Sequence, residues 1–287
     1  QHPGARLMSA AKPQKAAPMT TDSLPAAPSP TGFAGGDLLL EIDGPVARLV
    51  LNRPRQRNAL NLAVWHALPE VVAAVESAPA VRVLVIRGAG GHFASGADIS
   101  EFPGVFGQRE TAVAYARAID AATAAIEGLG VPVIACIDGY CIGAGLAVAL
   151  ACDLRICGET ARFGAPPAKL GLLYSLSDTR RLMRVVGHAR ATDMLLGATM
   201  LTARQAFDHG LVTEVHPADQ LEAAVAAKAR ALTELSGWSQ RHTKAIIARV
   251  EAGQTEDDDA TRDLFAAAGE TDHFKAALAD FLGRRGG

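Results

Sequence analysis

From Asp37 onward, short runs of strand texture alternate with longer runs whose apolar residues recur at helical spacing. LLLEIDGPVARLVLNRP predicts two strands about an Asp43–Gly44 turn, with Val46, Leu49 and Leu51 among the apolar positions. NLAVWHALPEVVAAVESA spaces its apolar residues for a helix, with Asn61 as N-cap. The β-branched runs VRVLVIRGAG and VPVIACIDG end in glycine and predict buried strands followed by turns. Between them, Thr111 to Leu129 is Ala-rich and helical, and GAGLAVALACD opens a further helix on glycines. The order strand, helix, strand, glycine turn, helix predicts an α/β layer rather than a bundle or a sandwich.

After about Gly187 the pattern is helical almost throughout: ARATDMLLGA, TARQAFDHG, QLEAAVAAKARALTEL, SQRHTKAIIARV and ATRDLFAAAG, with Thr202, Asp219 and Ser239 as caps. EDDDA, near Glu256, reads as a solvated helix entry, where negative charge suits the helix dipole. The first thirty or so residues are rich in Ala, Pro, Ser and Thr and lack apolar periodicity. They cannot bury enough surface to offset their ordering entropy. The chain therefore divides into a disordered tail over 1–34, an α/β core over 35–230 and a helical, oligomerising region over 231–287.

Composition narrows the function classes. Hydrophobic residues at 49% against 20% charged fit a core-rich globular protein. A formal charge of -2 lacks the cationic excess of a protein that holds nucleic acid mainly by charge. The longest apolar run, Ile142 to Leu150, falls short of the roughly 20 residues that span a bilayer. Cys136, Cys141, Cys152 and Cys157 lie in the most apolar stretch, without CxxC spacing or a nearby His cluster. They are expected to be buried reduced thiols rather than metal ligands, in keeping with a cytoplasmic setting.

Two glycine turns carry the candidate chemistry. HFASGADISEF follows the strand VRVLVIRGAGG, and GYCIGAGLAVALACD follows VPVIACID. One backbone N–H from each, converging on a point, would form a two-donor anion hole, to which the second turn adds a helix N-terminus near Gly143. Small residues are needed there because a larger side chain would block the bound group's approach to the backbone.

The ordered blocks LNRPRQRNALN, FASGADI, GYCIGAGLAVALACDLRI, ARFGAPPAKLGL and ATDMLLGATMLTARQAFDHGLVTEV resemble the signature of the enoyl-CoA hydratase/isomerase (crotonase) superfamily over roughly Asp37 to Val250. The resemblance implies a crotonase-like spiral of repeated ββα units with an α-helical C-terminal region. It implies a homotrimer or hexamer and an acyl-CoA thioester ligand. No separate cofactor is expected, because coenzyme A enters as part of the substrate. No metal, nucleic acid or membrane partner is implied. The family's anion hole carries over to the N–H groups of Ala97 and Ala144, beside Gly96 and Gly143. Arg57 to Ala59 and Ala97 to Ile99 would line the CoA path, with Arg53, Arg55 and Arg57 on its phosphates and Asp98 bonding local amides.

The sequence departs from the family where hydratases carry two glutamates: Ala147 and Pro167 stand at those positions. Neither can carry a proton, so two-glutamate hydration is not expected. Family isomerases generally keep a carboxylate at the second position, so the usual double-bond shift is not expected either. Tyr174 and Asp178 are the remaining candidates for proton chemistry, with a helix N-cap ahead of Thr179 as the alternative role for Asp178. PAKLGLLY resembles a PAKLGLPY-type stretch of members similar to methylmalonyl-CoA decarboxylase, with a tyrosine matching Tyr174, which makes decarboxylation one alternative, although those members can carry His where Ala97 stands. A catalytically silent CoA-thioester binder is another. Among lesser candidates, Ser95 lacks a GxSxG setting, His92 reads as a loop residue, Asp153 as a buried structural acid and Glu159 as a surface turn.

Overall fold

The computed structural model describes residues 30–285. The tail expected over 1–34 therefore falls largely outside the described residues, but its last part does not. β1 (Thr31–Phe33) pairs antiparallel with β2 (Leu38–Asp43), so ordered structure begins before position 35. The physical reason is the open edge of β2, which offers unpaired backbone groups that any extended neighbour can satisfy.

β2 and β3 (Val46–Leu51) form the expected hairpin, but Asp43 pairs with Val46, so Gly44 and Pro45 are the central turn residues. Gly44 has φ +56, and the proline ring holds Pro45 at negative φ, the pattern of a type II′ turn. α1 (Leu62–Glu76) is capped by Asn61, whose side chain accepts from Val64 N at 2.8 Å. β4 (Val83–Gly88) leads through the first glycine turn to α2 (Phe102–Val105) and α3 (Arg109–Gly128). β5 (Val133–Ile137), β6 (Tyr140–Ile142) and α4 (Ala144–Ala151) follow, then β7 (Leu154–Gly158) and β8 (Arg162–Gly164). α5 (Leu176–Leu196) is interrupted at Gly187, whose φ and ψ of 74° and 166° are not helical. β9 (Met200–Thr202), α6 (Ala203–Asp208), β10 (Glu214–His216) and α7 (Leu221–Thr233) complete the core. α8 (Gly237–Glu251), α9 (Asp259–Ala268) and α10 (Asp272–Arg285) extend from it.

The seven-stranded sheet has the order β1-β2-β3-β4-β5-β7-β10, parallel from β3 to β10, and β6, β8 and β9 form a second sheet. The windings β5-β6-α4 and β7-β8-α5 each send a five-residue strand into the first sheet and a three-residue one into the second before a helix follows. This is the spiral of ββα units. Both faces of the main sheet are covered: Leu84 and Ile86 of β4 pack with α1, α3 and α4, while Val83 and Val85 face Leu221, Val225 and Ala229 of α7. That is why β4 and β5 read as continuous apolar runs rather than alternating ones.

Three cap expectations are corrected. Thr202 does cap α6, in a capping box with Gln205, but Asp219 does not cap α7, whose N-cap is Gln220. Ser239 is not the cap of α8; Ser236 accepts from Ser239 N at 3.2 Å. Asp178 is not the cap of α5 either: Ser175 is, and Asp178 lies within the first turn. Ser236 and Ser175 stand three residues upstream in extended backbone and accept from the amides of Ser239 and Asp178, whereas α7 starts one residue later than expected, at a Gln220 that makes no side-chain cap bond.

No helix of the described residues is long and apolar enough to cross a membrane. The four cysteines are buried and free, and no group of metal-ligating side chains occurs among the described residues. Burial pushes the Cys136 thiol up to about 11 and those of Cys152 and Cys157 to about 12.

Candidate active site

The first glycine turn is stitched into the fold on both sides. Ala94 N donates to Tyr140 O at 2.9 Å and Ile142 N donates to Ala94 O at 3.0 Å, which aligns the turn with β6. On the other side Leu60 N donates to Gly96 O and Asp98 N to Leu60 O, each at 2.8 Å. In such a parallel bridge, the residue between the two bonded ones directs its own N–H away from the partner strand. That residue is Ala97.

The second turn lies in contact with the first. A Cβ placed on Gly143 would stand 3.8 Å from the Gly96 Cα, and one on Gly145 would lie 2.5 Å from the Ala94 carbonyl oxygen. Gly96 at φ +124 and Gly143 at φ +52 both adopt backbone conformations that a side chain would strain. Gly143 is the N-cap of α4, so the Ala144 N–H is the first orphan donor of that helix. Among the described residues, neither the Ala97 nor the Ala144 amide donates to any protein acceptor.

Both residues line one cavity of about 650 Å³. Its walls are apolar: Phe102 and Phe106 from α2 and its C-terminal cap, Ala112, Ala116 and Ile119 from α3, and the Pro166–Tyr174 segment. Ala147 and Pro167, the two positions where the resemblance leads one to expect a hydratase's glutamates, both line it as well. Asp178 is the one charged side chain in the lining among the described residues.

Tyr174 and Asp178, singled out from sequence, both reach the cavity. The Tyr174 hydroxyl donates to Gly143 O at 2.9 Å, and burial, with the charge of Asp178, raises its pKa well above the usual phenol value. Asp178 is 3% exposed; it accepts from Ser175 Oγ at 2.9 Å and Arg181 Nη1 at 2.9 Å. Burial raises its pKa, against the opposing effects of Ser175 and Arg181. Arg181 also holds Glu127 at 2.7 Å, and Arg184 joins Glu127 to Glu251. Burial alone would push Glu127 up, but hydrogen bonds and charge from Arg181 and Arg184 outweigh it and keep this carboxyl low.

The expected CoA-path residues divide. Arg55 and Arg57 are exposed beside the 3-10 turn Pro54–Gln56, and the Arg57 guanidinium lies 5.6 Å from the Tyr140 ring centre. Ala59 precedes the bridge to the first turn, and Ile99, 63% exposed, stands at the cavity lip. Arg53 departs from expectation: it pairs with Asp98 at 2.9 Å and Asp37 at 3.2 Å, a tether rather than a free phosphate ligand. Asp98 accepts from Ser100 N and Ser100 Oγ, and the Ser100 hydroxyl followed by Arg53 lowers its pKa despite some burial.

The lesser candidates hold structure together. Ser95 Oγ donates to Gln56 O, and His92 Nδ1 accepts from Tyr140 N at 3.2 Å while stacking on that ring. Asp153 accepts from Val133 N and Lys244 Nζ, with 31% of its side chain exposed, so it is structural but not buried. Glu159 is exposed. Sequence reasoning missed Tyr115 and Ser175 in the lining, and the α3 wall. The small and apolar stripe Ala112, Ala116, Ile119 at helical spacing was the available signal.

The model of the family described as Enoyl-CoA hydratase/isomerase matches residues 41–286. "Probable enoyl-CoA hydratase echA8" of Mycobacterium tuberculosis is 32% identical over 249 residues, covering 86% of this chain and 95% of its own. The 2,3-dehydroadipyl-CoA hydratase of Escherichia coli is 31% identical over 256 residues, covering 87% and 96%. The crystal structure of an enoyl-CoA hydratase/isomerase family protein from Hyphomonas neptunium superposes with a TM-score of 0.83 at 38% identity, covering 86% of this chain and 95% of its own. With the fold, the paired turns and these likenesses together, the chain belongs to the enoyl-CoA hydratase/isomerase family of enzymes, the crotonase superfamily.

Proposed function

We propose that this enzyme binds an acyl-CoA thioester with its carbonyl oxygen between the amides of Ala97 and Ala144, and that its reaction passes through the thioester enolate. The observation that carries the reading is the pair of unpartnered N–H groups, from two turns in contact, opening into one apolar cavity. Two such donors stabilise a developing oxyanion more than the neutral carbonyl, which is what accelerates enolisation. Exposed Arg55 and Arg57 then serve the phosphates of the nucleotide end, and Ala59, Asp98 and Ile99 border the path between.

Ala147 and Pro167 leave no proton carrier at either glutamate position, so the reaction is not two-glutamate hydration. The acyl group that fits this lining is uncharged. A substrate carboxylate would meet no cation among the described lining residues and would face Asp178. Decarboxylation of a dicarboxylic thioester is therefore the weaker alternative, although loss of CO2 would need only the anion hole and a proton donor. The exposed apolar residues Phe265, at 86%, and Leu282, at 58%, fit cover by other copies, as in a homotrimer or hexamer.

Calorimetry with acetyl-CoA, followed by assays with crotonyl-CoA, a 3-enoyl-CoA and methylmalonyl-CoA, tests the reading. Binding of acetyl-CoA without crotonyl-CoA hydration at ordinary hydratase rates is expected. Rapid hydration would show that the missing glutamates are dispensable. CO2 release would select decarboxylation, and binding without any turnover across the panel would select the silent thioester binder. Absence of binding would end all three.

A further inference from the structure

The hydroxyl of Tyr174 and the amide of Ala144 meet on the same peptide unit. Tyr174 donates to Gly143 O, and that carbonyl belongs to the planar group whose other end is the Ala144 N–H. In a trans peptide the C=O and N–H point in opposite directions, so fixing one fixes the other. Gly143, at φ 52 and ψ −117, lacks the Cβ that would restrict this peptide, so its plane is held by contacts instead. Gly143 N donates to Gly164 O at 2.8 Å, and Ala147 N donates to Gly143 O at 3.0 Å. Tyr174 supplies the second donor to that carbonyl, and both of its lone pairs are then used.

We infer that Tyr174 is a positioning residue for the oxyanion hole: its phenol pins and polarises the Gly143–Ala144 peptide so that the Ala144 N–H faces the thioester oxygen as a stronger donor. This rests on the proposed role of Ala144. Hydrogen bonds in a chain reinforce one another, so a donor on the carbonyl makes the amide of the same unit more acidic. The O–H that does this is already committed and is not the proton donor of the reaction. Because burial raises the phenol's pKa, it stays protonated, and donating, across the neutral range. The remote placement is also economical in sequence terms: Tyr174 lies 31 residues from Gly143, on the segment that leads into α5.

Tyr174→Phe keeps the ring and removes only this donor. The test is the difference infrared spectrum of acetyl-CoA, 13C-labelled at the thioester carbonyl, bound to the native enzyme and to the variant. The native complex should shift the carbonyl band to lower frequency relative to free acetyl-CoA. The variant should lose at least half of that shift while binding acetyl-CoA within about threefold of native, because ground-state contacts are retained. A purely structural tyrosine would change melting temperature or affinity but leave the band of the bound fraction where it was. An unchanged shift in Tyr174→Phe overturns the inference alone. A native complex with no shift, or no binding, overturns the hole and this inference together.

Discussion

The two sides of the cavity are built from different materials. The proposed hole is built from backbone: two amides, positioned by glycines, by main-chain bonds between the first turn, Leu60 and β6, and at Gly143 O by the Tyr174 hydroxyl. Another wall is side chain: Asp178, held by the ion pairs that run through Arg181 and Glu127 to Arg184 and Glu251. Backbone donors are cheap to keep in place and carry no charge, so they suit an anion that exists only in the transition state. The side-chain wall invests in buried ion pairs, which mainly hold geometry. Changes on the first side should therefore cost catalysis, and changes on the second should cost stability.

Ala144→Pro is the largest expected effect. It removes the N–H at the first helical position, where proline is tolerated, so folding is preserved. Loss of one hole donor should lower kcat/KM by about 10²–10³-fold, roughly 3 kcal/mol, with little change in melting temperature. Asp178→Ala should do the reverse. It leaves buried Arg181 with Glu127 but without its second anion, and should cost about 3 kcal/mol in chemical denaturation, whereas Asp178→Asn retains an acceptor and should cost less. If instead Asp178→Ala abolished turnover at native stability, the division between the two walls would fail and Asp178 would be a proton carrier.

The contrast also explains what the sequence revealed. Glycines followed by small residues after β-branched strands are local, so the two turns and the helix start near Gly143 were readable directly, as were the Asn61 cap and the buried strands, whereas Ala97 and Ala144 were singled out by the family resemblance. Arg181 to Glu127 spans 54 residues and Tyr174 to Gly143 spans 31, and no periodicity links such pairs. Arg53 illustrates the same limit: in a row of three arginines nothing local distinguishes the one that folds back on Asp98 from the two left exposed. The misplaced caps at Asp219, Ser239 and Asp178 are errors of a few residues in helices otherwise anticipated.

Arg53→Ala probes a charged side-chain tether on the backbone side. Losing its bonds to Asp98, Asp37 and Ala59 O should loosen the first turn and reduce kcat/KM by about tenfold, near 1.4 kcal/mol. A null effect would mean that the main-chain bonds to Leu60 position Ala97 unaided.

The smallest effect concerns pH. Asp98 and Glu127 have lowered pKa values, so the stability they contribute is fully present above their unfolded values near about pH 4 and is lost as pH falls through the folded ones. Asp178, raised by burial, has the opposite sign and relieves part of that acid loss. Ser100→Ala removes the main cause of the Asp98 depression, so its denaturation midpoint should fall slightly at pH 7 and decline less steeply between pH 5 and pH 3, by about a few tenths of a kcal/mol at most.

The most direct measurement is a crystal structure with a bound acyl-CoA. The thioester oxygen should lie within about 2.7–3.1 Å of both Ala97 N and Ala144 N, with the acyl chain in the apolar space bordered by Phe102 and Ile119. An oxygen held by only one of these amides, or a thioester seated outside this cavity, would contradict the account.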